Sequence, residues 1–199
     1  NRLRMVVTLL AQPPQVMRHR GHRHAGALGQ GTHVNLAGEQ GHQDAHAAGI
    51  AQGIAFAADL PVVPISTLAA LALGAARETG HVQIAAALDA RMGEVYWGTY
   101  TVAMEMAQMI GEERICPPQA ATAPPGDWFG VGSGWRVYAA ILRQRLAVGD
   151  WLGECLPHAG DVARLAADPR RRGEWVSAER ALPVYLRDEV ASKPRATLS

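Results

Sequence analysis

From residue 48 onward the chain predicts an α/β fold, and three stretches predict it. AGIAQGIAFAADLPVVPISTLAALALGAARETG, residues 48–80, runs from a small-residue helix through a short apolar strand to a second helix. HVQIAAALDA and EVYWGTYTV, residues 81–90 and 94–102, are two strands joined by a tight turn. WFGVGSGWRVYAAILRQRLA, residues 128–147, is a strand, a glycine turn and an amphipathic helix. Strands mixed with helical patterns of this length are the mark of an α/β sheet.

Each element has a local reason. Ile50, Ile54 and Ala57 or Ala58 share one face of the first helix, and Gly49 and Gly53, four apart, permit close approach by another backbone. PVVPI, residues 61–65, is short, β-branched and apolar, as a buried strand is. Ser66 or Thr67 caps the second helix and Gly80 ends it. In the 94–102 strand Val95, Trp97 and Thr99 point one way and Tyr96, Gly98 and Tyr100 the other. Residues 104–118 return as a further strand with a bulge at Gly111. Residues 122–127, with two prolines and a glycine, form a loop. A helix within 158–175 is expected to stop at Asp168-Pro169, because the residue before proline avoids helical angles. Val184, Tyr185 and Leu186 close the domain, and 195–199 is a tail.

Residues 1–47 differ in character. They hold six of the eight histidines, and after Ala11 they show neither strand alternation nor a helical stripe. Such a segment buries little apolar surface to offset its ordering entropy, so poor order is expected. The apolar run Met5–Ala11 is too short to span a bilayer, and Gln12-Pro13-Pro14 follows it without a convincing cleavage site.

Composition excludes little else. The chain has 199 residues, enough for one domain or two small lobes. A net charge of +1 calls for no nucleic-acid or membrane partner. Cys116 and Cys155 show no pairing pattern and fit a reducing compartment, so a cytoplasmic protein is expected.

Four groups of residues invite chemistry. Asp89 and Arg91, at the tip between the two central strands, suit a catalytic acid with its partner or a phosphate-binding pair. Turn geometry is the commoner use of Asp and Gly there, with Asp89 accepting backbone N–H bonds and Gly93 taking a positive φ. Gly130-Val131-Gly132-Ser133-Gly134 lies where a helix N-terminus would favour an anion. Its spacing is not G-x-G-x-x-G and no Walker lysine follows, so a sharp turn is the plainer reading. His42 and His46, four apart in HQDAH, have metal-ligand spacing, but the glutamate of a metalloprotease motif is missing. Arg170-Arg171-Arg172 suits RNA phosphate and, more simply, a solvated loop.

Taken together, residues 49–72, AALDARMGEVYWGTY (86–100), GVGSGW (130–135) and LPVYLRDEVASK (182–193) resemble, in order and spacing, the bacterial TsaB (YeaZ) family. The resemblance implies a two-lobed fold of the actin-like ATPase (ASKHA) superfamily. It implies a non-catalytic accessory subunit that pairs with TsaD, the subunit transferring the threonylcarbamoyl group to adenosine 37 of tRNA. A TsaE-like ATPase joins the assembly, a homodimer is a further possible pairing, and tRNA is met only through the complex. No cofactor is required by this chain, and ATP or ADP belongs at the complex interface. Gly49, Ile50, Gly53, Ile54 and Ala57 would form the partner face, and Asp89, Arg91, Gly132 and Gly134 would border the interlobe cleft. No metal site and no membrane are implied.

The family's first lobe opens with an Asp-Thr-Ser/Ala-type strand turn and a Gly-Pro-Gly-Ser-Phe-Thr-Gly segment, and neither is found here. The expected organisation is therefore an atypical 1–47, the remainder of an incomplete first lobe at 48–80, and a second lobe at 81–194. Without its neighbours the 61–65 strand is expected to have open edges. The N-terminal segment reads as a frameshifted translation of GC-rich DNA, with a diverged N-terminus as the alternative. Two other functions compete. One is a metal-dependent hydrolase or glycoprotease-like enzyme using His42 and His46. The other is an ATP-binding ASKHA domain with its own turnover.

Overall fold

The computed structural model describes residues 3–4, 6–9, 40–181 and 184–185, with side chains described for 49–181. In chain order the elements are β1 (Leu3–Arg4), β2 (Val6–Leu9), α1 (Gln40–Ala58), β3 (Val62–Ile65), α2 (Thr67–Thr79) and β4 (Gln83–Arg91). They continue with β5 (Glu94–Ala103), β6 (Met106–Cys116), β7 (Phe129–Val131), α3 (Ser133–Leu146), β8 (Trp151–Leu152), α4 (Ala159–Arg171) and β9 (Val184–Tyr185).

A five-stranded mixed sheet, ordered β6-β5-β4-β7-β8, organises the larger part. β4 is antiparallel to β5 and parallel to β7, so it lies at the centre. Its sequence reflects that position. Ile84 and Ala86 enter one core with Tyr96, Tyr100 and Val102, roofed by Leu68, Leu71, Ala72, Leu73 and Ala75 of α2. Ala85 and Ala87 enter the opposite core with Val95, Trp97, Trp135 and Leu142. A strand covered on both faces reads as a continuous apolar run, whereas β5 sorts its aromatic residues by face. The two faces of β5 are those read from its alternation.

α2 is set by its ends. The Ser66 hydroxyl accepts from the Ala69 amide, and Gly80 closes the helix at φ 80° with its N–H on the Ala76 carbonyl. A left-handed residue after the last helical turn is glycine's usual place. The helix shares its core with the sheet that begins three residues later, so residues 67–79 pack with 83–102. Ser66 also donates to Glu113 Oε1 at 2.6 Å, and the Tyr100 hydroxyl donates to the same oxygen. This buried carboxylate ties the start of α2 to β5 and β6. Across the other flank of α2, the buried Asp161 of α4 accepts from Arg77 at 2.5 Å and from Arg164 at 3.3 Å.

Several expectations from the sequence are corrected. α1 starts at Gln40, so the boundary at 47/48 falls inside a helix. Ala and Gln sustain helical angles there without an apolar stripe to announce them. The 61–65 strand does not have both edges open: β2 pairs with β3 antiparallel, Val6 opposite Ile65 and Leu9 opposite Val62. β1 likewise pairs with β9. Val6–Leu9 of the apolar run after Arg4 thus form a strand. α4 continues through Pro169 to Arg171. A proline in a last turn forfeits one backbone bond. Arg171 and Arg172 on Asp168, with the Glu174 amide on the Pro169 carbonyl, hold that turn regardless. α3 begins at Ser133, inside the glycine turn, and β8 was not foreseen. The bulge at Gly111 is present: the β5–β6 register shifts between Trp97 and Thr99, and Gly111 has φ 79°.

Candidate functional site

The turn between β4 and β5 has the geometry that its sequence suggests. Arg91 stands opposite Glu94, and Met92-Gly93 closes a two-residue loop with φ 54° and 77°. Two central residues at positive φ match the right-handed twist of the strands. Ala90 is an extra residue, marked by the register shift between Asp89 and Arg91, and Arg91 itself has φ 60°. Asp89 stabilises this strained run. Its Oδ1 accepts from the Arg91 amide at 2.9 Å and its Oδ2 lies 3.6 Å from Arg91 Nε.

The same carboxylate reaches α3. Tyr138 hydrogen-bonds it, and burial followed by the negative charge of Asp89 raises the phenol above its ordinary pKa. The hydroxyl therefore stays protonated and donates. The Asp89 amide donates to Ser133 Oγ at 3.1 Å. Tyr138 sits where α3 kinks, with φ −119° and ψ 20°. The hairpin tip and the start of α3 are thus brought together around the Asp89 carboxylate. Asp89→Ala should cost about 0.5–2 kcal/mol through the lost backbone acceptor and the orphaned phenol. Urea unfolding of the two proteins measures it, and equal midpoints would show that Asp89 does not hold the turn.

Gly132 and Gly134 are explained by crowding. A Cβ on Gly132 would lie 2.5 Å from the Ala87 carbonyl oxygen, and one on Gly134 would lie 2.8 Å from Ala87 Cβ. Both residues let the start of α3 lie directly on β4. Backbone amides of the segment are already engaged: Gly130 N–H on Asp150, Gly132 N–H on Leu152 and Trp135 N–H on Gly132. The anion-binding reading draws no support from these bonds.

α1 presents a different surface. Ala51 and Ala55 face inward, whereas Gly49, Ile50, Gly53, Ile54 and Ala57 are all exposed. Ile50 and Ile54 are 65% and 51% exposed, and Phe56, which the sequence reading passed over, is 66% exposed. A Cβ on Gly49 or Gly53 would meet nothing within 4 Å. At 100° per residue the six positions fill one broad arc of the helix. Phe56 was legible as the one aromatic among small residues, three positions from Gly53. Gln52, at the edge of that arc, donates to the Ala178 carbonyl at 2.8 Å and anchors the helix from behind.

His42 and His46 fall in the first turns of α1, and their side chains lie outside the described residues. Among the described residues no group of three His, Cys, Asp or Glu is placed to hold a metal ion. Arg171 and Arg172 are paired with Asp168 and Glu174. No helix among the described residues is long and apolar enough to cross a membrane.

A family model described as TsaD, tRNA N6-adenosine threonylcarbamoyltransferase, matches residues 45–138. The chain is 40% identical over 153 residues to the Escherichia coli "tRNA threonylcarbamoyladenosine biosynthesis protein TsaB", covering 73% of this chain and 65% of that protein. It is 37% identical to the protein of the same name from Haemophilus influenzae, with the same coverage. A crystal structure from Pseudomonas aeruginosa, titled as an uncharacterized protein with similarity to peptidase YEAZ, superposes with a TM-score of 0.65 at 44% identity. The match covers 71% of this chain and 66% of that one. Over the matched part this chain is similar to the TsaB (YeaZ) proteins. Its α/β fold with a mixed sheet is accordingly of the actin-like ATPase type. The chain spans 65% of the length of the two curated TsaB proteins.

Proposed function

We propose that this chain is a non-catalytic accessory subunit in the formation of threonylcarbamoyladenosine at position 37 of tRNA, and that its work is binding. The observation that carries this reading is the exposed apolar face of α1. Ile50, Ile54 and Phe56 stand in solvent beside two glycines that leave room for a second backbone. An apolar stripe left uncovered on a small protein marks a contact surface more often than it marks chance. The TsaD-like catalytic subunit is the proposed occupant, with a TsaE-like ATPase joining the assembly. A second copy of this chain is the competing occupant. Contact with tRNA is made through the complex. This chain needs no cofactor of its own, and ATP or ADP binds, if anywhere, at the interface of the complex. In this reading the protein works in the cytoplasm. In this reading Asp89 is structural, its carboxylate held by its own turn and by Tyr138.

The test is co-purification with the TsaD-like subunit of the same genome, followed by size-exclusion chromatography. A stable heterocomplex is expected. Gly53→Leu should weaken it by tenfold or more, because a side chain there holds the partner's backbone off. The isolated variant should melt as the parent does, since the added atoms meet open space. Unchanged affinity would remove α1 from the interface, and loss of self-association alone would assign the face to a homodimer.

A further inference from the structure

We draw no further inference here: the strongest candidate, the edge of β6 left unpaired among the described residues beside the cleft of about 340 Å³ lined by Trp97, Thr99, Glu112, Arg114 and Pro124, is interrupted by the Gly111 bulge and stopped by Pro117 and Pro118, and nothing in the structure shows what covers it.

Discussion

Gly132→Ala is expected to destabilise the protein by about 2–6 kcal/mol, and two separate costs add to that figure. The backbone there has φ 101° and ψ 171°. That region is open essentially to glycine alone, and a side chain in it costs on the order of 1–3 kcal/mol. The added methyl would also sit 2.5 Å from the Ala87 carbonyl oxygen and 3.5 Å from Leu71 Cδ1. Overpacking of that kind costs about 1–3 kcal/mol more. The clash is with backbone of the central strand, so no rotamer change relieves it. Gly149→Ala is the matched control, because its Cβ would meet nothing within 4 Å. Its effect should stay within about 0.5 kcal/mol.

The experiment also separates two uses of the glycine turn. If the turn exists to let α3 lie on β4, Gly132→Ala lowers the thermal midpoint and changes nothing else. If the turn exists to hold phosphate, nucleotide affinity should fall in a variant that remains folded. Thermal unfolding with and without ATP therefore reads both. A parent stabilised by ATP, beside an equally stable variant that is not, would overturn the packing account.

How much of this was legible depended on how local each signal is. The β4–β5 hairpin could be read because its information is contiguous: the β5 alternation, Asp89 and Gly93 lie within fourteen residues. α2 could be read because Ser66 and Gly80 mark its two ends. The pairing of Val6–Leu9 with Val62–Ile65 could not, because an apolar run specifies a strand without naming its partner more than fifty residues away. β8 has two residues and no periodicity to detect. The start of α1 at Gln40 was hidden by polar residues whose helicity carries no amphipathic stripe. At the candidate sites the residue types were visible while their partners were not. Asp89 announces a turn, but nothing in the sequence connects it to Tyr138, forty-nine positions later. Gly132 and Gly134 announce flexibility, and only the fold shows that Ala87 is the reason for both.

Trp135→Ala should cost about 3–5 kcal/mol, the range for truncating a large buried aromatic residue. The indole is fully buried between Trp97 and Trp151, with ring centroids 6.4 Å away on each side. Its Nε1–H donates to the Ala85 carbonyl at 2.7 Å. Gly130 exists to admit it, since a Cβ there would lie 2.5 Å from the ring. Packing and hydrogen bond can be apportioned. Trp135→Phe keeps most of the apolar volume and loses the donor, so it should cost less than the alanine variant, with about 1 kcal/mol due to the bond. Urea unfolding of the three proteins by far-ultraviolet circular dichroism avoids the confusion of a deleted fluorophore. The damage should also be local. Trp135 belongs to the core between the sheet and α3, whereas Ala55 beneath the exposed face of α1 packs with Val62, Ala178 and Ala181 in a separate cluster. At temperatures where Trp135→Ala is still folded, binding through α1 should therefore match the parent. A variant that loses stability and partner affinity in step would mean that the two cores unfold as one unit, and that α1 takes its shape from the sheet after all.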